Sequence, residues 1–318
     1  MRRLYPAIEP YDFGHLAVSK QHRVYYEQCG NPQGVPVLVV HGGPGGGCQD
    51  KMRSFFDPAY YRIILVDQRG CGRSLPFCCL EENNTRSLIN DFEQIRQHCS
   101  IDRWMLFGGS WGTTLSIAYA QTHPERISQI ILRGVFLATP DEVSWLFHEG
   151  GASRIYPEAW QQFIEGFTQI EQQDIMAAYH ARFQALDHNS KEADVLARQC
   201  LRWESTMAHL VSDPQQVERE LCDDITQTYS RIICHYAAHD FFLDQALLDG
   251  MKRCQHIPCH IVHGRHDVIC LPNTAWDLHQ VWPGSTLQIV PGGAHSAMDP
   301  AMINALVTAC DNWKVMNS

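Results

Sequence analysis

The chain has 318 residues and a mass of 36.2 kDa, and its 25 Lys and Arg against 35 Asp and Glu give a formal net charge of −10 at pH 7. This acidic balance, without any basic run, excludes nucleic acid and anionic membrane surfaces as expected partners. Because there is no signal-like segment or long apolar stretch, and the 13 cysteines are scattered, we expect a cytoplasmic protein with reduced thiols.

Short apolar runs typical of β-strands alternate with helical patterns along the first part of the chain. The predicted strands there cover residues 35–40, 61–67, 103–108 and 127–134. A helical stretch rich in Gln, Glu, Trp and His follows, and strand-like runs return at 259–264 and 285–292. The pattern predicts a mostly parallel α/β sheet flanked by helices, with residues 1–140 and 241–318 as the core and 141–240 as an inserted helical cap.

The third predicted strand leads directly into "FGGSWGTTLSIAYA", where Gly108, Ser110 and Gly112 form G-x-S-x-G. In this motif a sharp strand-to-helix turn exposes a strained serine at the top of a sheet. An apolar strand before the motif and a helical pattern after it are the context that the motif requires. Ser110 is therefore the candidate nucleophile.

A serine nucleophile needs a base, and the base needs a group that orients it. On this kind of fold the order along the chain is Ser, acid, His, with both partners in loops after late strands. Asp267 follows the strand in "HIVHGRHDVICLP", and His295 follows the strand in "LQIVPGGAHSAM". His263 and His266 precede the acid and break this order, so the predicted triad is Ser110, Asp267 and His295.

The glycine-rich stretch "VVHGGPGGGC" at 39–48 follows an early strand. In an acyl-transfer enzyme such a loop supplies a backbone N–H to the oxyanion, and the residue after the nucleophile supplies another. Trp111 is the second of these donors; Gly42 or Gly43 is the first, and Gly43 is favoured. A phosphate-binding loop is excluded, because neither G-x-x-x-x-G-K-[ST] nor G-x-G-x-x-G fits the stretch.

The stretch "DQRGCGRS" at 67–74 contains no nucleotide-binding motif either. It is typical of a structured turn at the top of the sheet. We expect Asp67 or Arg69 in this turn to support the site.

The stretch "HYAAHD" is a candidate metal site, because His235 and His239 stand four residues apart on a predicted helix. This spacing can bind zinc. The stretch lacks the glutamate of H-E-x-x-H, however, and core packing or a solvated helix face is the favoured interpretation. The sequence predicts no metal and no organic cofactor.

The chain resembles the proline iminopeptidases (prolyl aminopeptidases), serine peptidases of the α/β-hydrolase class, nearly from end to end. The matching blocks occur in the family's order and are "LYPAIEPYD", "YYEQCGNPQG", "HGGPGGG", "DQRGCGRS", "GGSWGTTLSIAYAQTHPE", "LRGVF", "GGASRIYPEAW" and "WE" at 203–204. The resemblance implies an α/β-hydrolase fold, the triad and oxyanion hole given above, and release of an N-terminal proline from short peptides. It implies no nucleic-acid or membrane partner.

The resemblance also implies that buried carboxylates of the cap bind the substrate amine, and Glu204 matches the first of them. The family's second glutamate lies in a block resembling R-I-E-N-H-Y-F, and here "RIICHYA" has Ile233 at that position. An esterase or amidase with the same triad is therefore the alternative activity. A non-catalytic binding protein on a hydrolase scaffold is a third hypothesis, which the intact triad disfavours.

Overall fold

The computed structural model describes residues 1–221 and 223–316, and its centre is one eight-stranded sheet. The strands are β1 (Asp12–Ala17), β2 (Arg23–Gly30), β3 (Val35–Val40), β4 (Tyr61–Val66), β5 (Trp104–Ser110), β6 (Ile127–Val135), β7 (Cys259–Gly264) and β8 (Ser285–Val290). Their order across the sheet is β1-β2-β4-β3-β5-β6-β7-β8. Only the β1–β2 and β2–β4 pairs are antiparallel, so the predicted mostly parallel sheet is confirmed.

The described helices flank this sheet or follow its strands. They are α1 (Thr85–His98), α2 (Trp111–Thr122), α3 (Pro140–Phe147), α4 (Pro157–Phe163), α5 (Ile175–Ala185), α6 (Lys191–Met207), α7 (Pro214–Glu220), α8 (Asp223–Ala237), α9 (Pro272–Gln280) and α10 (Pro300–Met316). Within residues 1–221 and 223–316, no helix is both long enough and apolar enough to cross a membrane.

The central strands are buried on both faces, which explains their unbroken apolar sequences. In β3, Leu38 and Val40 pack into one hydrophobic cluster, while Val37 and Val39 pack into a second cluster on the other side of the sheet. Successive side chains of a strand point to opposite faces, so both faces must be covered by helices. This arrangement leaves the carboxyl ends of the strands as the place where loops can build a site.

The antiparallel strands β1 and β2 were not predicted, because their sequences contain charged residues. Glu27 of β2 is fully buried, and its carboxylate accepts hydrogen bonds from Arg53 at 2.7 Å and from Arg73 at 2.8 Å. A buried carboxylate is tolerated when it is paired and hydrogen-bonded in this way. The partners are distant in sequence, so the pattern of β2 alone does not reveal a buried strand.

Helices α3 to α8 all lie between β6 and β7 in the chain. The first of them begins with a capping box, in which Thr139 and Glu142 each bond to the other's backbone N–H. Near its other end, the segment contacts the glycine-rich loop through Thr228 Oγ1 of α8, which donates to the Gly45 carbonyl at 2.9 Å. The helical segment thus packs against the loop that follows β3.

Candidate active site

Ser110 lies at the junction of β5 and α2 with φ 57° and ψ −127°, a left-handed conformation that is strained for a residue with a side chain. The turn is possible because glycines flank it. A methyl group on Gly108 would lie 2.5 Å from the Gly112 carbonyl oxygen, and one on Gly112 would collide with the Val40 carbonyl. Both positions therefore require glycine, and they hold Ser110 at the carboxyl end of the sheet.

Asp267 and His295 lie in the loops after β7 and β8 and form a hydrogen-bonded pair. His295 Nδ1 donates to Asp267 Oδ2 at 2.8 Å, and the other carboxylate oxygen accepts from the backbone N–H groups of Ile269 at 3.1 Å and Cys270 at 2.9 Å. Burial alone would raise the pKa of Asp267, but the neighbouring His295 and these bonds lower it on balance. The carboxylate is therefore ionised at neutral pH and fixes the tautomer of His295.

His263 also lies near this carboxylate, with 3.6 Å between its Nε2 and Asp267 Oδ2. Its ring is fully buried, Nε2 donates to the Cys270 carbonyl at 2.8 Å, and Nδ1 accepts from the Val135 N–H at 3.2 Å. Burial lowers its pKa, so the ring stays neutral. With both nitrogens occupied, His263 supports the loop and is unavailable as a base.

A bulge in β6 provides the space for the His295 ring. Gly109 of β5 pairs with Arg133, and Ser110 pairs with Val135, so Gly134 is an extra residue between them. Gly134 has φ 56°, and a methyl group there would lie 3.2 Å from the His295 ring. The bulge therefore places the imidazole beside the strand that carries Ser110. The Ser110 side chain does not cap helix α2, and a catalytic contact of its hydroxyl often forms only with substrate bound.

The glycine-rich loop after β3 lies directly against the nucleophile. A methyl group on Gly42 would lie 3.3 Å from Ser110 Cβ, and the next residue, Gly43, has φ 115° and a cis peptide bond to Pro44. Trp111 is the first residue of α2, so its N–H has no acceptor within the helix. The two backbone segments predicted to bind an oxyanion therefore meet at Ser110.

Gln68 joins these two segments, and the sequence analysis did not identify it. Its side-chain carbonyl accepts from Trp111 Nε1 at 2.9 Å, and its side-chain amide donates to the His41 carbonyl at 2.9 Å. Its backbone N–H also donates to His41 Nε2 at 2.9 Å. The turn at 67–74 thus fixes the end of β3 relative to the start of α2.

Asp67 is one of the two residues that were predicted to support the site, and it contacts the far end of the glycine-rich loop. Its carboxylate accepts from the Cys48 N–H at 2.8 Å and from Arg73 Nε at 2.7 Å. Arg69 instead forms a buried bidentate pair with Asp91, with distances of 2.6 and 2.7 Å. Of the two candidates, Asp67 contacts the glycine-rich loop, whereas Arg69 pairs with Asp91.

Glu204 of α6 is partly buried and accepts a hydrogen bond from the hydroxyl of Tyr229 of α8. Burial raises the pKa of Glu204, while the neighbouring charges of His295 and Arg133 and the Tyr229 hydroxyl act in the opposite direction. The carboxylate therefore lies within electrostatic reach of the Asp267–His295 pair. Ile233 lies one helical turn after Tyr229 and is buried, so an apolar side chain occupies the position where the resemblance implies a second glutamate.

Arg133 was also missed by the sequence analysis. Its Nη1 donates to the His295 carbonyl at 2.8 Å, and its guanidinium covers Gly109, the residue before the nucleophile. The residue ends a predicted strand in "LRGVF", where an exposed charge would be the ordinary expectation. Its contacts depend on the loop after β8, which is 162 residues away along the chain.

A serine on a strained strand-to-helix turn, followed by an acid and a histidine after later strands of a mostly parallel sheet, defines an α/β hydrolase. The family model for the alpha/beta hydrolase fold matches residues 35–301. An esterase from Exiguobacterium antarcticum has the same fold, with a TM-score of 0.64, 19% identity, and coverage of 94% of this chain and 98% of that one.

The chain belongs to the proline iminopeptidase family. It is 45% identical over 315 residues to a proline iminopeptidase of Xylella fastidiosa, covering 98% of this chain and 100% of that protein. It is 44% identical over 318 residues to a proline iminopeptidase of Arabidopsis thaliana, covering 99% of this chain and 83% of that protein. The predicted family and fold are therefore confirmed.

Proposed function

We propose that the protein is a serine aminopeptidase that releases an N-terminal proline from short peptides. The observation that carries this function is Glu204, a carboxylate in the helical segment that lies within electrostatic reach of the Asp267–His295 pair. A peptide with a free N-terminal proline carries a cationic secondary amine close to its scissile carbonyl. A carboxylate beside the triad is the group that such a substrate requires.

In the proposed mechanism, His295 accepts the Ser110 hydroxyl proton while Asp267 orients and stabilises the imidazole. Ser110 Oγ attacks the carbonyl carbon of the N-terminal residue, and His295 then protonates the leaving amine. Water, deprotonated by the same imidazole, hydrolyses the acyl-enzyme and releases the amino acid. The strained backbone of Ser110 keeps its hydroxyl at the point where these steps take place.

We assign the oxyanion hole to the backbone N–H groups of Gly43 and Trp111. Both donors belong to segments that Gln68 ties together, so their separation is set before substrate arrives. Preorganised donors of this kind stabilise the negative charge that develops in the transition state. No metal ion or organic cofactor takes part in this mechanism.

We further propose that residues 141–240 form a cap domain over a core of residues 1–140 and 241–318. The hydrogen bond from Thr228 of α8 to the Gly45 carbonyl supports this division, because it is a contact between the helical segment and the glycine-rich loop. A cap above the triad would limit access to short peptides. We also propose a cytoplasmic location, which is supported by the finding that the described cysteines form no disulfide.

The test is hydrolysis of a prolyl arylamide and of a short acyl aryl ester by the intact protein and by Ser110→Ala. We expect turnover of the prolyl arylamide that Ser110→Ala abolishes, with covalent labelling of the intact protein by a fluorophosphonate. Ester turnover without prolyl cleavage would contradict the proposed substrate, and absence of labelling would contradict the serine mechanism. The esterase or amidase alternative is not favoured, since the full-length relatives are proline iminopeptidases.

A further inference from the structure

Three histidines that the proposed mechanism does not use come together between α5 and the end of α8. They are His180 of α5, His235 of α8 and His239 just after α8, and one ring nitrogen of each lies within 4.8 Å of the others. The sequence pattern showed only the second and third, which stand four residues apart. The third ring comes from a helix more than fifty residues earlier in the chain, so only the folded structure completes the set.

In two of these rings, one nitrogen already donates a hydrogen bond, which determines which nitrogen can bind a metal ion. His235 Nε2–H donates to the Asn83 carbonyl at 3.0 Å, and His239 Nδ1–H donates to the His235 carbonyl at 2.7 Å. His235 Nδ1 and His239 Nε2 therefore carry the available lone pairs. A histidine whose second nitrogen donates to a carbonyl is the usual arrangement of a metal ligand.

Two buried nitrogens of the cluster have no partner. His180 Nδ1 and His235 Nδ1 are both inaccessible to solvent and lack a hydrogen bond in the described structure, and His180 itself is only 7% exposed. A buried polar atom without a partner is destabilising, and a bound cation would satisfy it.

We propose that His180, His235 and His239 bind one Zn²⁺ ion, with a solvent molecule as the fourth ligand. Three imidazoles with an open position are a common zinc ligand set, and imidazole prefers such borderline transition metals over Mg²⁺ or Ca²⁺. Tetrahedral Zn²⁺ with bonds of about 2.0–2.1 Å needs ligand nitrogens about 3.3 Å apart. The ring nitrogens must therefore approach one another by at most roughly 1.5 Å, and the exposed His239 can make part of this movement.

The role of the ion is to hold the turn after α8. Asp240, Phe241 and Phe242 all have positive φ values of 49°, 53° and 52°, an unfavourable conformation for three successive residues with side chains. The Phe242 ring stacks on His239 with centroids 5.0 Å apart, and Phe241 packs 5.8 Å from Trp111. A metal bridge from α5 to His239 would clamp this turn and, through it, the packing around Trp111.

The test uses the whole protein, treated with a chelator, dialysed with a phosphine reductant present, and titrated with Zn²⁺ by calorimetry. We expect one Zn²⁺ per chain and a rise in Tm at saturation. His239→Gln should weaken binding by more than the roughly 10- to 100-fold that loss of an outer partner costs, and should abolish the Tm rise. Because this variant also loses the bond to the His235 carbonyl and the stack on Phe242, its Tm with Zn²⁺ is compared with its own metal-free Tm. His188→Gln, which replaces an exposed histidine between α5 and α6, is the matched control and should bind as the parent does.

Cobalt distinguishes this site from a thiolate site. The Cys200 and Cys234 sulfurs lie 3.8 Å apart and are the nearby rival ligands, so Cys234→Ala should leave Zn²⁺ binding intact. Co²⁺ bound by the three imidazoles should show visible d–d absorption without a sulfur-to-cobalt charge-transfer band. Unchanged binding in His239→Gln, a charge-transfer band, or no binding by the parent would each overturn the proposal.

Discussion

Replacing Glu204 with Gln is the sharpest test of how the site selects an N-terminal amine. The substitution keeps the size of the side chain and its ability to accept from Tyr229, but removes its negative charge. If Glu204 binds the substrate ammonium, the variant leaves a desolvated cation without its counterion. If Glu204 instead serves only to support the triad, kcat/KM should fall equally for substrates with and without an amine.

The expected size of the effect follows from the surroundings of Glu204. Loss of one partner of a buried, hydrogen-bonded charge pair costs about 2–5 kcal/mol. Because Glu204 is only partly buried, solvent can replace some of the lost interaction, and we expect the lower part of this range, about 2–3.5 kcal/mol. At about 1.36 kcal/mol per factor of ten, kcat/KM for a prolyl arylamide should fall roughly 30- to 400-fold.

The assay compares a prolyl arylamide with a short acyl aryl ester that has no amine, using the parent and Glu204→Gln. The ester should be hydrolysed with kcat/KM unchanged within about twofold, because it never places a cation near Glu204. Single-turnover labelling with a fluorophosphonate should also be unchanged, which verifies that the triad is intact. An equal loss on both substrates would refute the assignment of Glu204 to amine binding.

Three further changes test other parts of the site. Tyr229→Phe removes a hydrogen bond to the ionised Glu204, so the pKa of Glu204 should rise further and the acid limb of kcat/KM should move to higher pH for the prolyl arylamide but not for the ester. His209 bonds to Asp299 at 3.1 Å, and its pKa is raised to about 9 from 6.5. Its stabilising contribution should be full below about pH 6.5 and lost as pH rises through about 9, so urea unfolding of His209→Gln should differ from the parent at about pH 6 and converge with it above about pH 10. Gly134→Ala adds a methyl group 3.2 Å from the imidazole of the proposed base and should lower kcat on both substrates about tenfold or more, whereas an unchanged kcat would show that the bulge does not position the ring.

The parallel part of the fold was predictable because its strands are buried on both faces. Their sequences are continuous apolar runs, and β3 and β7 have the bounds that the sequence predicted, 35–40 and 259–264. The antiparallel strands β1 and β2 were not predictable by the same reasoning. The charge of Glu27 indicates a solvent-exposed segment, and the two arginines that pair with Glu27 lie 26 and 46 residues further along the chain.

The residues of the proposed chemistry had a clear sequence signal, whereas the residues that position them did not. Ser110, Asp267 and His295 were found from the order of motifs and the strands before them. Gln68 and Arg133 act through hydrogen bonds to segments that are distant in sequence and meet only in the folded chain. A glutamine or arginine at the end of a strand is common, so no local pattern separates these two residues from ordinary surface positions.

The resemblance implies a second glutamate where this chain has Ile233, and the number of donors on the substrate predicts what that difference would do. A protonated N-terminal proline has two N–H groups, whereas any other N-terminal residue has three. Glu204 also accepts from Tyr229, and a single ammonium can direct no more than two of its N–H groups at the two oxygens of one carboxylate. An apolar Ile233 supplies no further acceptor, so a primary ammonium would retain an unpaired donor in a partly desolvated site. If Glu204 binds the amine as proposed, we expect a single carboxylate to be sufficient for proline, and we expect peptides with other N-terminal residues to be cleaved less well than prolyl peptides.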